Sequence, residues 1–123
     1  MVRVFRSDVA DEETMRAVVS SVQAEFGGLN GVIHAAGLLS GPSIRPLARL
    51  SAEACADQFS PKVAGVQVLD RVLQGSSPDF CLLTSSLSVV LGGLGFGAYA
   101  AANAYLDAFA LMRHRREIGR AHV

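Results

Sequence analysis

Three polar residues in the last third of the chain have the types and spacing needed for carbonyl chemistry. Ser86 follows an apolar run that predicts a buried strand, and Tyr99 and Asn103 lie on the helix predicted after it. Tyr99 comes 13 residues after Ser86, and Asn103 comes four after Tyr99, which places the last two on one helix face. A hydroxyl, a phenol and an amide carried in this way can converge on one oxygen atom. The same residues can also serve only local packing and turn formation.

Lys62 is the single lysine of a chain that has 11 basic residues in total. Ser60 and Pro61 are a typical N-cap and first-position pair, so Lys62 is predicted in the first turn of a helix running to about residue 73. The helix dipole disfavours a cation in that turn. This mismatch favours a lysine with a specific partner over one on a solvated surface.

Together these four side chains match the needs of a carbonyl reductase. Such an enzyme must donate a proton to an oxygen as hydride reaches the carbon, and a tyrosine can do so when the phenol pKa falls from about 10 towards neutrality. A neighbouring ammonium group favours the phenolate, and a serine hydroxyl can hold the carbonyl oxygen in line. The carboxyl ends of parallel strands are where ligands bind in open α/β sheets.

Composition limits the alternatives. The chain has 123 residues, half of them hydrophobic, and a formal net charge of zero, which suits one globular domain at most and gives no sign of nucleic-acid or membrane binding. Cys55 and Cys81 match no metal-ligand spacing, and Cys81 is predicted to be a small buried hydrophobe. Nothing resembles a signal peptide or a membrane span, so a reduced, cytoplasmic setting is expected.

Apolar runs alternate with helical patterns along the chain. Asp11 is a predicted N-cap and Gly27 a predicted stop for the first helix, and Ser51 is predicted to cap a later short helix. Strand, helix, strand, helix, strand, helix predicts an α/β layered sheet with right-handed parallel crossovers and strands buried on both faces. The predicted strands are residues 2–5, 31–37 and 79–84, with a further one beginning at 121–123; the longer helices are residues 12–26, 61–73 and 99–117.

Four short motifs carry a resemblance to a known family. They are His34-Ala35-Ala36-Gly37, Pro61-Lys62-Val63-Ala64-Gly65, Ser85-Ser86-Leu87-Ser88 and Tyr99-Ala100-Ala101-Ala102-Asn103-Ala104-Tyr105-Leu106-Asp107. Together they closely resemble the ketoreductase domain of polyketide synthases, within the short-chain dehydrogenase/reductase superfamily, over nearly the whole chain. Most of that superfamily carries the lysine four residues after the tyrosine. Here Asn103 holds that place and Lys62 lies on the earlier helix, an exchange typical of polyketide and animal fatty-acid synthase ketoreductases.

The resemblance implies a role for each of these residues. Tyr99 would protonate the β-keto oxygen, Ser86 would hydrogen-bond it, and Lys62 would favour the phenolate of Tyr99 and contact the nicotinamide ribose. Asn103 would support Lys62 or a proton-relay water. Asp8 would receive the adenine amino group of NADPH, and His34 is expected to be a structural histidine with satisfied hydrogen bonds. The residues expected to border the cofactor are Asp8, Val9, Ala35, Ala36, Gly37, Lys62 and Tyr99.

The resemblance also implies a substrate, partners and a fold. The substrate would be a β-ketoacyl thioester on an acyl carrier protein, reduced to the β-hydroxyacyl thioester, and the partners would be neighbouring polyketide synthase domains. The fold would be a partial Rossmann-like domain over residues 1–123, a doubly wound parallel sheet in three αβα layers. It would run from the third strand of the family to the helix after the fifth. The loop after Gly37 lacks the Leu-Asp-Asp signature of one stereochemical class and Leu91 replaces the tryptophan of the other, so no hydroxyl configuration is predicted.

The family's phosphate-binding loop has no counterpart in its expected place. No Gly-x-Gly-x-x-Gly turn follows the first predicted strand, and the glycines of residues 92–97 belong to the loop after the serine strand. In the order 3-2-1-4-5-6 the first two strands lie between the third and the fourth. Without them residues 2–5 have no partner and residues 31–36 form a bare apolar edge, so the chain by itself is expected to be unstable or to aggregate.

Two other interpretations stay open at this point. The chain can be a non-catalytic, truncated or decayed ketoreductase that keeps the motif without binding a cofactor. It can also be another extended-superfamily enzyme, such as an epimerase, which would normally place lysine four residues after the tyrosine. Asn103 at that position argues against the epimerase. Cofactor binding would separate a working ketoreductase from a decayed one.

Overall fold

A two-stranded parallel sheet with helices against one face makes up the fold. The computed structural model describes residues 1–120, with side chains through residue 116, so the strand expected at 121–123 lies outside the described residues. The elements are α1 (Glu12–Phe26), β1 (Gly31–His34), a 3-10 turn (Leu47–Arg49), α2 (Ala52–Phe59), a π-turn (Ser60–Ala64), α3 (Gly65–Val72), β2 (Phe80–Leu83), α4 (Ser88–Leu91) and α5 (Gly97–Arg120). The expected mixed α/β class with a parallel sheet is confirmed.

The sheet brings the carboxyl ends of β1 and β2 side by side. Its register places Gly31 opposite Phe80 and His34 opposite Leu83. One further hydrogen bond, from the Thr84 N–H to the His34 carbonyl at 2.9 Å, continues the ladder beyond β2. The strands are therefore shorter than predicted, and the residues that follow them turn away from the same edge of the sheet.

The other face of the sheet is open in the described part of the chain. Ile33 and Leu82 are register partners, and they are 64% and 56% exposed. The prediction that these strands are buried on both faces is therefore wrong for residues 1–120. Cys81 points to the opposite face of β2 from Leu82 and is exposed as well, so the prediction that it is a buried hydrophobe is also wrong.

Residues 2–5 form no strand, which corrects that prediction. Residues 1–8 have no regular secondary structure, and Val2 and Val4 are exposed. Arg3 pairs with Glu25 of α1 at 2.9 Å, so the segment is tied to that helix rather than to the sheet. A strand is defined by its ladder hydrogen bonds, and this apolar segment lacks a neighbour that could supply them.

The ends of α1 follow the sequence signals closely. The Asp11 carboxylate accepts from the Thr14 N–H at 3.2 Å, and Gly27 ends the helix with a φ of 78°, in the left-handed region. Hydrogen bonds at Thr14 hold the pKa of Asp11 below its usual value. Val19 of α1 packs against Val68 and Val72 of α3 to form the buried apolar cluster between the two helices.

The second and third helices are joined rather than separate. Ser51 caps α2 as expected, accepting from the Ala54 N–H at 3.2 Å. Ser60, however, has helical backbone angles (φ −52°, ψ −59°), so it is not an N-cap and Lys62 is not in a first helical turn. The π-turn carries the helix through Pro61, whose missing N–H would otherwise interrupt the hydrogen-bond ladder. The predicted helix boundary at Ser60 and Pro61 is therefore wrong.

The glycine-rich stretch between β2 and α5 is more ordered than an open loop. It contains the short helix α4, and α5 begins at Gly97, two residues earlier than predicted. A Cβ at Gly97 would lie 2.6 Å from Cδ2 of Leu47, and one at Gly95 would lie 3.4 Å from the Arg45 nitrogen. Glycine at both positions therefore lets the loop before α2 pack directly against the start of α5.

Candidate active site

Lys62 lies at the centre of the candidate site. Its side chain is buried, with 3% of its surface exposed, and Nζ donates a hydrogen bond to the Thr84 carbonyl at 3.0 Å. The same Nζ lies 5.8 Å from the centroid of the Tyr99 ring. Burial lowers the pKa of Lys62 below its ordinary value of 10.5, because desolvation penalises the ammonium form. The structure thus places the lysine between the end of β2 and the start of α5.

The turn after β1 closes the other side of Lys62. A Cβ built on Gly37 would lie 3.0 Å from Cε of Lys62, a separation tighter than nearly all real Cβ contacts. Glycine at this position is therefore needed for the turn to lie so close to the lysine. Ala35 is exposed and Ala36 is half-buried in the same turn. Of the three, Gly37 is the residue that the structure places against Lys62, and the cofactor channel expected along this turn stays a prediction.

Tyr99 is held in the first turn of α5 by its aromatic and small neighbours. Its ring meets the Phe96 ring edge-on, with centroids 5.7 Å apart and an interplanar angle of 65°. Ala98 and Ala102 are buried on the same helix, and their small size lets α5 approach the π-turn that carries Lys62. Tyr99 itself is half-buried, so the ring is fixed while part of it remains accessible.

Asn103 is fully buried one helical turn beyond Tyr99. Its Nδ2 donates to the Tyr99 carbonyl at 2.8 Å, so the hydrogen bond it makes is with Tyr99 rather than with Lys62. Its Oδ1 is buried and has no hydrogen-bond partner among the described residues. A buried acceptor left without a donor costs about 1–3 kcal/mol. The Asn103 Oδ1 atom can therefore accept a hydrogen bond from a water molecule or from another N–H or O–H donor.

Ser86 lies close along the chain to Thr84, the residue whose carbonyl binds Lys62. It comes two residues after Thr84, so their Cα atoms are at most about 7.6 Å apart. Its Oγ accepts from the Ser88 N–H at 3.2 Å, which leaves the hydroxyl proton available to donate. The neighbouring Ser85 has a buried hydroxyl without a partner in the described part of the chain. The helix α4, which follows Ser86, packs against α5 and so fixes this serine relative to Tyr99.

Val9 packs near the residues around Lys62, whereas the Asp8 carboxylate bonds within its own turn. The Asp8 carboxylate accepts from the Ala10 N–H at 2.9 Å, a local turn that leads into α1. Val9 packs on Gly65, where a Cβ would lie 2.8 Å from Cγ1 of Val9 and 3.5 Å from Cε1 of His34. The structure therefore links Val9 to the helix that carries Lys62. The recorded contacts of Asp8 stay within its own turn.

The structure adds residues that the sequence analysis missed. The Thr84 carbonyl anchors Lys62 and Phe96 packs on Tyr99. Gln58 is fully buried on α2, and its Nε2 donates to the Leu38 carbonyl at 3.1 Å and to Ser43 Oγ at 2.7 Å. Gln58 thereby holds the loop that follows Gly37. The available signal was its position four residues after the buried Ala54, a polar residue on an otherwise apolar helix face.

Membrane and metal sites are not seen in the described residues. Within residues 1–120, no helix combines the length and the apolar character that crossing a bilayer requires. The same part of the chain holds no group of three or more histidine, cysteine or acidic side chains arranged for a metal ion.

Parallel strands joined through helices, with a lysine and a tyrosine grouped beyond the strands' carboxyl ends, define a Rossmann-like segment of the short-chain dehydrogenase/reductase class. The model of the KR domain family matches residues 1–122, and the chain belongs to that family. Both the expected superfamily and the expected family are confirmed.

Relatives of known name and structure agree with this assignment. The chain is 42% identical over 113 residues to polyketide synthase GfsA of Streptomyces halstedii, covering 92% of this chain and 2% of that protein. It resembles the crystal structure of an N-terminal ketoreductase from the macrolactin assembly line, with a TM-score of 0.84 and 31% identity over 92% of this chain and 23% of that one. A-type ketoreductases from a modular polyketide synthase give a TM-score of 0.83 at 33% identity, covering 96% of this chain and 24% of theirs. The chain spans only a small part of each of these proteins.

Proposed function

We propose that this chain forms the catalytic part of a ketoreductase that reduces the β-keto group of an acyl thioester to a β-hydroxyl. The observation that carries the proposal is the buried Lys62 ammonium, held 5.8 Å from the Tyr99 ring centroid in a chain of the KR domain family. A buried ammonium close to a phenol favours the phenolate, which a proton donor to a carbonyl oxygen must form during the reaction.

In this proposal Tyr99 donates the proton to the carbonyl oxygen. Ser86 donates its hydroxyl hydrogen to the same oxygen and holds it in line, because its own Oγ already accepts from the Ser88 N–H. Lys62 stabilises the tyrosinate that remains. Asn103 positions the backbone of Tyr99 and accepts a hydrogen bond from a water molecule that returns a proton to the site.

The residues around Lys62 fit the nicotinamide-ribose half of a dinucleotide. Lys62 has three N–H donors and one of them binds the Thr84 carbonyl, so two remain that can bind a ribose hydroxyl. Ala35, Ala36 and Gly37 supply a side-chain-poor turn beside that amine. When bound, NADPH supplies the hydride. Val9, together with Asp8 at the turn before α1, would border the adenine half.

The substrate and partners follow from the family rather than from any contact in this chain. We infer that the acyl group is carried by an acyl carrier protein and that the chain works beside neighbouring domains of a polyketide synthase. Some relatives are named as polyketide synthases, and this chain spans about 2% of their length. The formal net charge of zero fits a domain without nucleic-acid or membrane partners, in a cytoplasmic assembly.

The test is NADPH binding, followed by fluorescence titration, for this chain alone and for a version extended by the sequence that precedes it in its gene. The proposal expects binding, and reduction of a β-ketoacyl thioester, in the extended version. Loss of reduction in the Tyr99→Phe variant, with binding unchanged, would place the chemistry at this site. Absence of binding in both versions would instead favour a decayed domain without catalytic function.

A further inference from the structure

Gln58 is a buried amide on α2 whose two hydrogen bonds both lead to the loop of residues 38–50, between β1 and α2. Its exposed fraction is 0%. Nε2 donates to the Leu38 carbonyl at 3.1 Å and to Ser43 Oγ at 2.7 Å. The Leu38 oxygen can only accept, so the amide nitrogen must face it and the orientation of the amide is fixed. One side chain therefore binds the loop both at its start and near its middle.

An apolar residue at this place on α2 would avoid a cost that Gln58 incurs. The Oε1 atom of Gln58 is buried and has no hydrogen-bond partner among the described residues. A buried acceptor without a donor is unfavourable, and a methionine would fill similar space without one. Ser43 is only 2% exposed, so water is a poor replacement for the amide donor. The two bonds from Nε2 are therefore what sets Gln58 apart from an apolar residue here.

The first bond holds the loop where it leaves Lys62. Leu38 follows Gly37, where an added Cβ would lie 3.0 Å from Cε of Lys62. The bonded Leu38 carbonyl is thus one residue beyond the closest approach of this turn to the lysine. Gln58 and Lys62 lie on the continuous run of α2 and the π-turn. The bond therefore ties the turn to the same helical segment that carries the lysine.

The second bond holds the loop where it meets the start of α5. Two residues after Ser43, the backbone of Arg45 packs on Gly95: a Cβ at Gly95 would lie 3.4 Å from the Arg45 nitrogen and 3.5 Å from its Cα. Gly95 precedes Phe96, whose ring centroid lies 5.7 Å from that of Tyr99. The middle of the loop thus lies against the residues that support the tyrosine.

We propose that Gln58 is a positioning residue that fixes the loop of residues 38–50 against Lys62 at one end and against the residues before Tyr99 in its middle. The two hydrogen bonds stand on the structure alone, whereas the kinetic consequence rests on the proposed ketoreductase function. Gln58 acts through the loop and not on the reacting atoms. Loss of its donor frees the loop, so Tyr99 is held less closely in its place beside Lys62 and the chemical step slows.

The substitution Gln58→Met in the full-length protein removes the donor and keeps a side chain of similar length. Gln67→Met is the matched control, because Gln67 is exposed on α3 and its Nε2 donates to the Tyr105 hydroxyl at 2.8 Å. We expect Gln58→Met to lower kcat for a β-ketoacyl thioester about fivefold or more. The KM for NADPH should change less than about twofold, since Lys62 stays anchored to the Thr84 carbonyl. Equal losses in both variants, or an unaltered kcat in Gln58→Met, would overturn the proposal.

Ser43→Ala tests the same contact from the side of the loop. It removes one of the two acceptors, so kcat should fall less than in Gln58→Met. The double variant should be no slower than Gln58→Met alone, because the bond between the two residues is already lost. Losses that multiply in the double variant would show that the two residues act independently and would contradict the proposal.

Amide hydrogen exchange separates this proposal from the proposed function. The Ile44 N–H binds the Gly41 carbonyl at 3.1 Å, so the loop has a protected amide to follow. Peptides covering residues 38–50 should exchange about threefold faster or more in Gln58→Met, with peptides of α3 unchanged. Unchanged exchange in the loop would refute the role of Gln58. Ser43→Ala gives the same measurement if Gln58→Met does not fold. If the unaltered protein is inactive while the loop exchanges faster in the variant, the proposed function fails and the contact of Gln58 with the loop stands.

Discussion

Lys62 and Tyr99 are 37 residues apart in sequence, yet Nζ of the lysine lies 5.8 Å from the centroid of the tyrosine ring. Two different elements hold them there. The π-turn carries the lysine, and its amine is fastened to the Thr84 carbonyl at the end of β2. The first turn of α5 carries the tyrosine, which Phe96 supports from its edge. Because the amine is anchored just beyond the carboxyl end of β2, the position of Lys62 beside Tyr99 depends on that strand.

Tyr99→Phe should abolish thioester reduction while the protein stays folded. The phenol oxygen is the proposed proton donor, and its removal is expected to lower kcat by at least about 100-fold. Tyr105 on the same helix gives the matched control, since its hydroxyl accepts from Gln67 at 2.8 Å on the surface. Tyr105→Phe should leave kcat within about twofold. Equal losses from the two substitutions, measured by steady-state kinetics with NADPH, would contradict the assignment of Tyr99.

Lys62→Met should separate activity from stability. We expect kcat to fall by about 100-fold or more, because the tyrosinate loses its neighbouring charge. The free energy of unfolding should stay level or rise, since a methionine fills much of the same space without the cost of burying an ammonium. Urea denaturation of the full-length protein measures the second effect. A variant that loses stability and activity together would show that Lys62 is mainly a structural residue.

Gly37→Ala should weaken catalysis through crowding. The added Cβ would lie 3.0 Å from Cε of Lys62, so the lysine side chain must shift by a few tenths of an ångström. A shift of that size in a catalytic group is expected to lower kcat several-fold to about tenfold. Gly28→Ala is the matched control, because its Cβ meets nothing within 4 Å and its φ is not positive. Comparable kinetics for both variants would argue against close packing at Gly37.

The stability of the protein should depend on pH through His34. Burial first, and then the charge of Lys62, lower the pKa of this imidazole below its ordinary 6.5, while the Pro61 carbonyl acts in the opposite direction. Well above pH 6.5 the ring is neutral in both the folded and the unfolded chain, so it contributes no pH dependence there. As the pH falls below 6.5 the unfolded chain takes up the proton first, so the free energy of unfolding decreases until the folded pKa is passed.

Urea denaturation between pH 8 and pH 5 measures this effect. The difference between the unaltered protein and His34→Asn isolates it, since the carboxylates that titrate in this range are common to both. We expect the unaltered protein to lose more stability than His34→Asn on acidification. Parallel curves for the two proteins would show that His34 is not held neutral by its surroundings.

The chain by itself should aggregate through the open face of its sheet. Ile33 and Leu82 are adjacent on neighbouring strands and more than half exposed, so they form an apolar pair that lacks a cover in the described part of the chain. The double substitution Ile33→Thr with Leu82→Thr should reduce light scattering by the isolated chain. Leu94→Ser is the control, because Leu94 is 93% exposed but lies in a loop. An equal decrease in light scattering for Leu94→Ser would show that the chain does not aggregate through Ile33 and Leu82.

The sequence by itself determined the α/β class, the ends of α1 and the identity of the candidate site residues. Caps such as Asp11 and Gly27 act through hydrogen bonds and backbone angles within a few residues, so they can be predicted locally. The motifs around Lys62, Ser86 and Tyr99 also identified the family. The roles assigned to these residues remain predictions, which the experiments above are designed to test.

Only the tertiary structure decided the rest. Ser60 and Pro61 have the pattern of a helix start, yet a π-turn continues the helix through them, and α5 packs against that turn and holds it. Residues 2–5 have the composition of a strand but form none. A β-ladder needs an adjacent strand, which the local sequence does not provide. The hydrogen bond from Lys62 to Thr84 and the close approach of Val9 to Gly65 join residues more than 20 positions apart, and only folding brings such residues together.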